Sequence, residues 1–233
     1  MSTSSEVEFA AADGWPIRAL LRVPEAAERV GSAAGVVAVP GSRHERDAWT
    51  QVGIALAASG TSVLQIDIRG RGSSTNGTPW ATMGPAQRRR VALDVAAAVD
   101  HLAAVEGVDS TRLGLLVEQD TAAPALEAVA ADARIAALAV LSARDPARTR
   151  AAVEQRRAPV FALVSVEDRD GLRATVDAYL AAPSEGSRLD VFHGLGVGIT
   201  MASVLQFERP AEQQLDARLT AWFTGVLKRG HCT

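Results

Sequence analysis

Apolar segments that do not alternate with polar residues constrain the fold of this chain more than any other feature. Two clear examples are RLGLLV (112–117) and APVFALVS (158–165). A strand with one face in water alternates apolar and polar residues, so a strand that is apolar throughout has both faces covered. Longer stretches with helical spacing separate these segments, and the clearest is 84–105, with Val91 and Val95 on one face. The pattern predicts an α/β fold in which helices cover both faces of a mostly parallel sheet.

The chain divides into about eight strands and the helices between them. The first two strands, 7–10 and 17–23, are joined by Asp13-Gly14, a pair typical of hairpin turns. Later strands are predicted at 34–41, 61–72, 112–117, 135–142, 158–165 and 187–192, and helices at 47–60, 84–105, 122–131, 143–156, 170–182 and 210–229. No repeat or linker interrupts the series, and the 143–157 segment is too short for a lid domain. The sequence therefore predicts one domain, 1–233.

Charge and cysteine content narrow the classes of partner and cofactor that this chain is expected to have. The formal net charge is −3 with no long basic block, which argues against a nucleic-acid or membrane-surface partner. Cys232 is the one cysteine, and no cluster of His, Cys, Asp and Glu has metal-ligand spacing, so neither a metal nor another cofactor is expected. The absence of a signal-peptide pattern and of a membrane-length apolar stretch predicts the cytoplasm. The expected partner is a small-molecule substrate or ligand, and a homo-oligomer is left open.

Five motifs, in order, resemble those of the α/β-hydrolase superfamily, specifically its compact branch without a lid. VVAVPGSRHERDAW (36–49) is similar to the strand and loop that supply an oxyanion-hole amide, and VLQIDIRGRGSS (63–74) to the next strand with its Asp-x-Arg-Gly-x-Gly-x-Ser turn. RLGLLVEQD (112–120) stands where the nucleophile elbow belongs. APVFALVSVEDRD (158–170) and LDVFHGLGVG (189–198) stand where the triad acid and the triad histidine belong. The resemblance covers nearly the whole chain and implies the α/β-hydrolase fold.

The elbow can be aligned in two registers. Elbows of this family read small-x-nucleophile-x-small, because the nucleophile occupies a strained turn. One register puts Gln119 at the nucleophile position, where an amide cannot attack a carbonyl usefully. The other puts Asp120 there, and VEQDTAA (117–123) then resembles the Asp elbow of haloalkane dehalogenases and, more distantly, that of epoxide hydrolases. A carboxylate can act as a covalent nucleophile, which requires Asp120 to project into a water-poor pocket. Glu118 is not small and counts against the second register.

The histidine of the triad is also replaced. Val197 stands at its position, and His193 lies four residues earlier at the end of a predicted strand. His44, in the oxyanion loop, is another candidate, because sites in α/β folds collect at the carboxyl ends of the strands. The triad acid matches Asp168, with Asp170 as the fallback, and the structural alternative for Asp168 is the N-cap of the next helix.

The other candidate residues form the expected binding site and have structural alternatives. The oxyanion hole is expected from the amides of Gly41 or Ser42 and of Thr121, beside Arg43, Trp80 and Val197. Asp120 has an alternative as a helix N-cap. Glu118 has an alternative as the partner of an arginine from the loops at that edge, which are Arg43, Arg46, Arg69 and Arg71.

Two functions are compatible with these motifs. The first is an atypical enzyme that acts on a small ester, lactone, epoxide or halide-type substrate by carboxylate or acid/base chemistry through Asp120, Glu118 and His44. Ionisable groups at the degenerate positions favour it. The second is a pseudo-hydrolase that binds a ligand or partner, which the loss of both serine and histidine favours. A lyase or cyclase on the same fold is a third alternative, since this fold hosts several chemistries.

Overall fold

The computed structural model describes residues 2–24, 33–193, 196–201 and 214–228 of the chain. These residues form an eight-stranded sheet in the order β1-β2-β4-β3-β5-β6-β7-β8. The strands are β1 (Ser2–Ala10), β2 (Pro16–Pro24), β3 (Ala33–Val39), β4 (Ser62–Ile66), β5 (Val108–Glu118), β6 (Ile135–Leu141), β7 (Val160–Ser165) and β8 (Arg188–Phe192). Strand β2 is antiparallel to both its neighbours, and all other pairs are parallel. The predicted α/β class and the mostly parallel sheet are confirmed.

Helices cover both faces of this sheet. Within the described ranges they are α1 (Thr50–Ala58), α2 (Pro85–Arg89), α3 (Val91–Ala103), α4 (Ala122–Val129), α5 (Pro146–Arg156), α6 (Arg169–Ala181) and α7 (Leu215–Lys228). Buried residues of α3, α4, α5 and α6 join one hydrophobic cluster, and those of α1 and α7 join the other. The central strands lie between the two clusters, which is why their apolar residues do not alternate with polar ones.

The observed element boundaries differ from the predicted ones at several places, and among them β1 begins earlier, at Ser2, and β4 ends earlier, at Ile66. Strand β5 is longer than predicted, because it begins at Val108. The helix predicted at 84–105 is divided at Arg90, whose N–H donates to the carbonyl of Gln87, three residues back, at 3.0 Å. The helix predicted at 47–60 is a 3₁₀ turn followed by α1. Part of the predicted closing helix, 210–213 and 229, lies outside the described residues.

The Asp-x-Arg-Gly turn after β4 is anchored by a buried ion pair. The Arg69 guanidinium, 2% exposed, donates from Nη2 to Oδ1 of Asp94 at 2.6 Å and from Nη1 to Oδ2 of Asp13 at 2.8 Å. Burial raises the pKa of Asp94 to about 6, against the lowering effect of Arg69. The turn is thereby fixed to α3 and to the β1–β2 hairpin. The motif that most closely resembles the hydrolase family therefore has a structural role here.

Candidate functional site

The sharp turn between β5 and α4 has the geometry of a nucleophile elbow, with Gln119 at its tip. Gln119 has a φ of +50°, in the left-handed region that non-glycine residues rarely adopt. The hydroxyl of Thr121 lies 2.8 Å from the carbonyl oxygens of both Pro40 and Glu118, and it anchors the turn by donating to them. In an elbow the strained residue is the one that the turn presents. Of the two registers, the backbone therefore favours the one with Gln119 at the nucleophile position.

Glu118, the last residue of β5, is fully buried and accepts three hydrogen bonds. Its Oε1 accepts from the N–H of Gly41 at 2.8 Å and from Nδ1 of His44 at 2.8 Å. Its Oε2 accepts from the N–H of Ile199 at 2.6 Å. One carboxylate thus joins the elbow, the loop after β3 and the loop after β8. The alternative in which Glu118 pairs with an arginine is wrong, because its partners are an imidazole and two backbone amides.

His44 forms a carboxylate–imidazole pair with Glu118 through Nδ1. The imidazole is 24% exposed and the carboxylate is fully buried. The hydrogen bond that His44 donates to Glu118 raises the pKa of His44 above its ordinary value, against the opposing effects of burial and of the Arg43 and Arg71 charges. Since Nδ1 faces Glu118, Nε2 is the ring nitrogen that remains for proton transfer. The prediction that His44 belongs to this edge of the sheet is confirmed.

Asp120 lies at the surface of the same cluster. Its side chain is exposed, and Oδ1 accepts a hydrogen bond from the N–H of Ser42 at 3.0 Å. The expectation of a water-poor pocket around Asp120 is therefore wrong. The N-cap alternative is also wrong, since Asp120 lies inside the 3₁₀ turn Gln119–Thr121 and makes no capping bond to α4. The carboxylate instead fastens the elbow to the loop after β3.

The amides of Gly41 and Ser42, the two expected oxyanion donors from the loop after β3, are both occupied. Gly41 donates to Glu118 and Ser42 donates to Asp120. An oxyanion hole needs donors that point at empty space where the developing charge will sit. These two amides point at carboxylates of the protein itself, so the expectation of a preformed oxyanion hole at Gly41 and Ser42 is wrong. The role of the Thr121 amide stays a prediction.

The loop after β8 closes over the elbow. The N–H of Gly198 donates to the hydroxyl of Ser142 at 2.8 Å. A Cβ atom on Gly198 would lie 2.4 Å from Oε2 of Glu118 and 2.5 Å from Nε2 of Gln119, so only glycine fits there. Gly198 also has a φ of +56°, which glycine tolerates best. The contacts from Gly198, Ser142 and Ile199 were missed in the sequence, although the glycine-rich GLGVG segment indicates a close backbone approach.

Asp168 lies three residues after the end of β7, near its predicted place, and it caps the next helix. Its Oδ1 accepts from the N–H of Gly171 at 3.0 Å and from Nη1 of Arg144 at 2.6 Å. The N-cap alternative for Asp168 is thus confirmed. Its ion-pair partner, Arg144, was not predicted. Asp170 lies in the first turn of α6 and is exposed.

Solved structures with the same architecture are readily found. A dienelactone hydrolase from Anabaena variabilis ATCC 29413 is 18% identical, with a TM-score of 0.75, over 97% of this chain and 98% of that one. The esterase domain of a Rhodothermus marinus protein is 16% identical, with a TM-score of 0.69, over 97% and 100%. An acetyl xylan esterase from Paenibacillus sp. R4 is 18% identical, with a TM-score of 0.67, over 88% and 83%. The chain has the α/β-hydrolase fold. Neither a protein-family model nor a curated protein sequence matches it.

Neither residue considered for the histidine position in the last strand and loop bonds to the carboxylates. His193 is exposed at the end of β8, and no hydrogen bond or ion pair joins it to Glu118 or Asp120 in the described part of the chain. Val197, which the sequence resemblance places at the histidine position, is half-buried, and its N–H donates to the hydroxyl of Thr200 at 3.0 Å. His44 is thus the imidazole that the fold brings to Glu118.

The two remaining predicted binding residues, Trp80 and Arg43, take no part in the hydrogen bonds described above for Glu118 and Asp120. Trp80 is buried in the hydrophobic cluster on the α3 face, and its backbone N–H donates to the carbonyl of Gly70 at 2.8 Å. The expectation that Trp80 lines the binding site is therefore wrong, because it packs in the core. Arg43 is exposed and adds positive charge near His44.

Metal-ligating side chains do not cluster in the described residues. No group of three or more His, Cys, Asp and Glu there could hold a metal ion. Among the helices that the structure describes, none is long and apolar enough to cross a membrane.

Proposed function

We propose that this chain is a non-hydrolytic protein on the α/β-hydrolase fold, which acts by binding a small molecule or a partner. One observation carries the proposal. The buried carboxylate of Glu118 accepts the N–H of Gly41, so the place where a substrate oxyanion would be stabilised is taken by a negative charge of the protein. Three requirements of ester hydrolysis bear on this proposal in turn.

The first requirement is a nucleophile at the elbow. Gln119 occupies the strained tip, and its amide nitrogen and oxygen are both far weaker nucleophiles than a serine activated by a histidine. Asp120, the neighbouring carboxylate, is exposed and hydrated, and it accepts a hydrogen bond from Ser42. Water and a hydrogen bond both stabilise the resting carboxylate and so lower its nucleophilicity.

The second requirement is an oxyanion hole. Removal of a single oxyanion donor from a hydrolase lowers kcat by roughly 10²- to 10³-fold. Here the amides of Gly41 and Ser42 already donate to Glu118 and Asp120. A developing oxyanion would have to displace a carboxylate and would also be repelled by it. Both effects raise the barrier for acyl transfer.

The third requirement is a base beside the nucleophile. Val197 takes the place of the family's histidine, and Asp168 is engaged by Arg144 and by the N-terminus of α6. The imidazole that contacts these carboxylates, His44, is bonded to Glu118 through Nδ1, and no hydrogen bond joins it to Gln119 in the described residues. A base that is not hydrogen-bonded to the nucleophile position is not aligned to take a proton from it.

Turnover assays test the proposal. The panel comprises p-nitrophenyl acetate, p-nitrophenyl butyrate, a dienelactone, styrene oxide and 1-bromobutane. We expect the protein to give the rate of buffer alone on every substrate, and we expect no labelling by a fluorophosphonate probe. Saturable turnover of any substrate would overturn the proposal.

A reconstruction variant provides a second test. Gln119→Ser combined with Val197→His restores a nucleophile and an imidazole at the family's positions. We expect this variant to stay at background on the p-nitrophenyl esters, because the amides of Gly41 and Ser42 still donate to carboxylates. Ester hydrolysis by a correctly folded double variant would show that the occupied amides do not block the chemistry.

The His44–Glu118 pair favours one second candidate, general-base hydrolysis of a small ester or lactone. A buried carboxylate that orients a part-exposed imidazole is the arrangement that aligns a catalytic base in hydrolases. In this mechanism Nε2 of His44 would take a proton from water, and no covalent intermediate would form. Turnover that disappears in His44→Asn, with Asp170→Asn as the exposed-residue control, would assign the activity to this pair.

A further inference from the structure

A cleft lies at the edge of the sheet opposite Glu118. It has a volume of about 560 Å³ and is lined by the beginning of β5 and β6, the segment before β7 and the end of α7. Strand β5 runs from this cleft to Glu118, and the seven residue-to-residue steps from Thr111 to Glu118 span about 23 Å at the usual rise per residue. The cleft is thus separate from the elbow and from the hydrogen bonds around it.

Part of the lining of this cleft is apolar. Ile135, Ala136, Pro159 and Val226 belong to it, beside polar and charged residues. Pockets for small molecules typically measure about 300–1,000 Å³ and combine apolar walls with a few polar groups. The volume of the cleft falls within that range, and its lining holds both kinds of group.

Positively charged residues also line the cleft. Arg156, Arg157 and Lys228 line the cleft, and none of them forms a salt bridge within the described residues. Arg157 and Lys228 are exposed. Two further lining residues, Arg112 and Asp109, form an ion pair with 2.7 Å between Nε and Oδ2, so their charges largely cancel. The cleft therefore carries a net positive charge.

Arg156 adds an unused hydrogen-bond donor. Its Nη1 donates to the backbone carbonyl of Asp132, and the Asp132 carboxylate, which is bonded to Arg134, compensates the Arg156 charge only in part. Its Nε–H is buried, and no partner for it exists in the described part of the chain. A buried donor without an acceptor is costly, and an anionic ligand oxygen would satisfy it.

We propose that this cleft binds a small organic anion with an apolar body and a single acidic group. The acidic group, a carboxylate, sulfonate or phosphate, lies among Arg156, Arg157 and Lys228, and the apolar body covers Ile135 and Val226. The inference does not depend on the proposed loss of hydrolysis, because it uses no residue of the elbow.

Fluorescence titration with a matched pair of probes tests this site. The anionic probe is 8-anilinonaphthalene-1-sulfonate, and the neutral probe is N-phenyl-1-naphthylamine, which keeps the apolar body but lacks the sulfonate. The variants are Arg157→Gln and Lys228→Gln, both at exposed cleft positions. Arg173→Gln, an 82% exposed arginine that does not line the cleft, makes the same charge change elsewhere.

We expect the anionic probe to bind the native protein more tightly than the neutral probe. Exposed charge pairs contribute about 0.2–1 kcal/mol, so each cleft variant should raise the Kd of the anionic probe by a factor of about 1.4 to 5, and Arg173→Gln should leave it unchanged. The neutral probe should show no such dependence. Amide chemical-shift changes on titration should include Thr111 and Ala136, which line the cleft.

Three results of the fluorescence titration would overturn the inference. These are no binding of the anionic probe by the folded protein, equal Kd values for the two probes, and equal effects of Lys228→Gln and Arg173→Gln. Chemical-shift changes confined to residues outside the cleft would also overturn it. None of these results bears on ester turnover, so the cleft and the proposed function can fail independently.

Discussion

Replacement of Glu118 by glutamine tests whether its carboxylate holds the three loops together. The variant keeps the size of the side chain and one carbonyl oxygen, which can still accept from Gly41 and His44 at the Oε1 position. The new NH₂ group then faces the N–H of Ile199, which loses its acceptor. The perturbation therefore removes a charge and leaves one buried donor without a partner.

The expected cost follows from these contacts. Two hydrogen bonds change from charge-assisted to neutral, at about 1 kcal/mol each, and the N–H of Ile199 is left buried and unsatisfied, at about 1–3 kcal/mol. The free energy of unfolding should fall by about 3–5 kcal/mol, in line with the usual cost of breaking a buried charged pair. For a chain of this size, that loss corresponds to a fall in Tm of roughly 6–20 °C.

Urea denaturation at neutral pH measures this difference. Glu127→Gln provides the matched control, because Glu127 is 39% exposed and pairs with Arg148 at the surface. An exposed pair contributes at most about 1 kcal/mol, so the control should stay close to the native protein. If Glu118→Gln is no less stable than Glu127→Gln, the assignment of Glu118 as the group that stabilises this edge of the sheet is refuted.

Two further predictions concern titration and the buried ion pair. The imidazole of His44 should titrate, by NMR, above about 6.5, and this elevation should vanish in Glu118→Gln. Because the folded-state pKa is raised, the stabilisation from this pair is fully present below about pH 6.5 and is lost as pH rises through the raised value; a midpoint at or below 6.5 contradicts this. Asp94→Asn should lower the free energy of unfolding by about 3–5 kcal/mol, since it removes the buried partner of Arg69. Asp100→Asn, on the same helix but 67% exposed, should cost less than about 1 kcal/mol, and equal losses in urea denaturation would contradict the assignment.

The fold could be predicted because burial on both faces leaves a direct record in the sequence. The apolar strands at 112–117 and 158–165 appear as β5 and β7, and the Asp13-Gly14 pair joins the first hairpin as predicted. The start of β5 at Val108 could not be predicted, because residues 108–111 are mostly polar and the strand begins there through the pairing of Val108 with Ala33 of β3.

The site was predicted only in part, because its contacts join residues far apart in the sequence. The edge of the sheet that carries Glu118, Gln119 and His44 follows from the rule that parallel strands end together. The partner of Glu118 does not follow, since it comes from a loop 74 residues away along the chain. The strained φ of Gln119 could not be predicted from the sequence either, because the local preferences of glutamine and aspartate allow either residue at the tip of the turn.

Under the proposed function, the three-way attachment of Glu118 also bears on how ester cleavage could arise in this chain during evolution. A serine at position 119 would face amides that already donate to carboxylates, and a change at position 118 alone would detach the loops that hold Gly41 and Ile199. Each first step on that path would thus yield a protein that either gains no hydrolysis or is less well folded. Selection would see no gain until several substitutions had accumulated, so descendants of this chain are expected to diverge in what they bind rather than in whether they cleave esters.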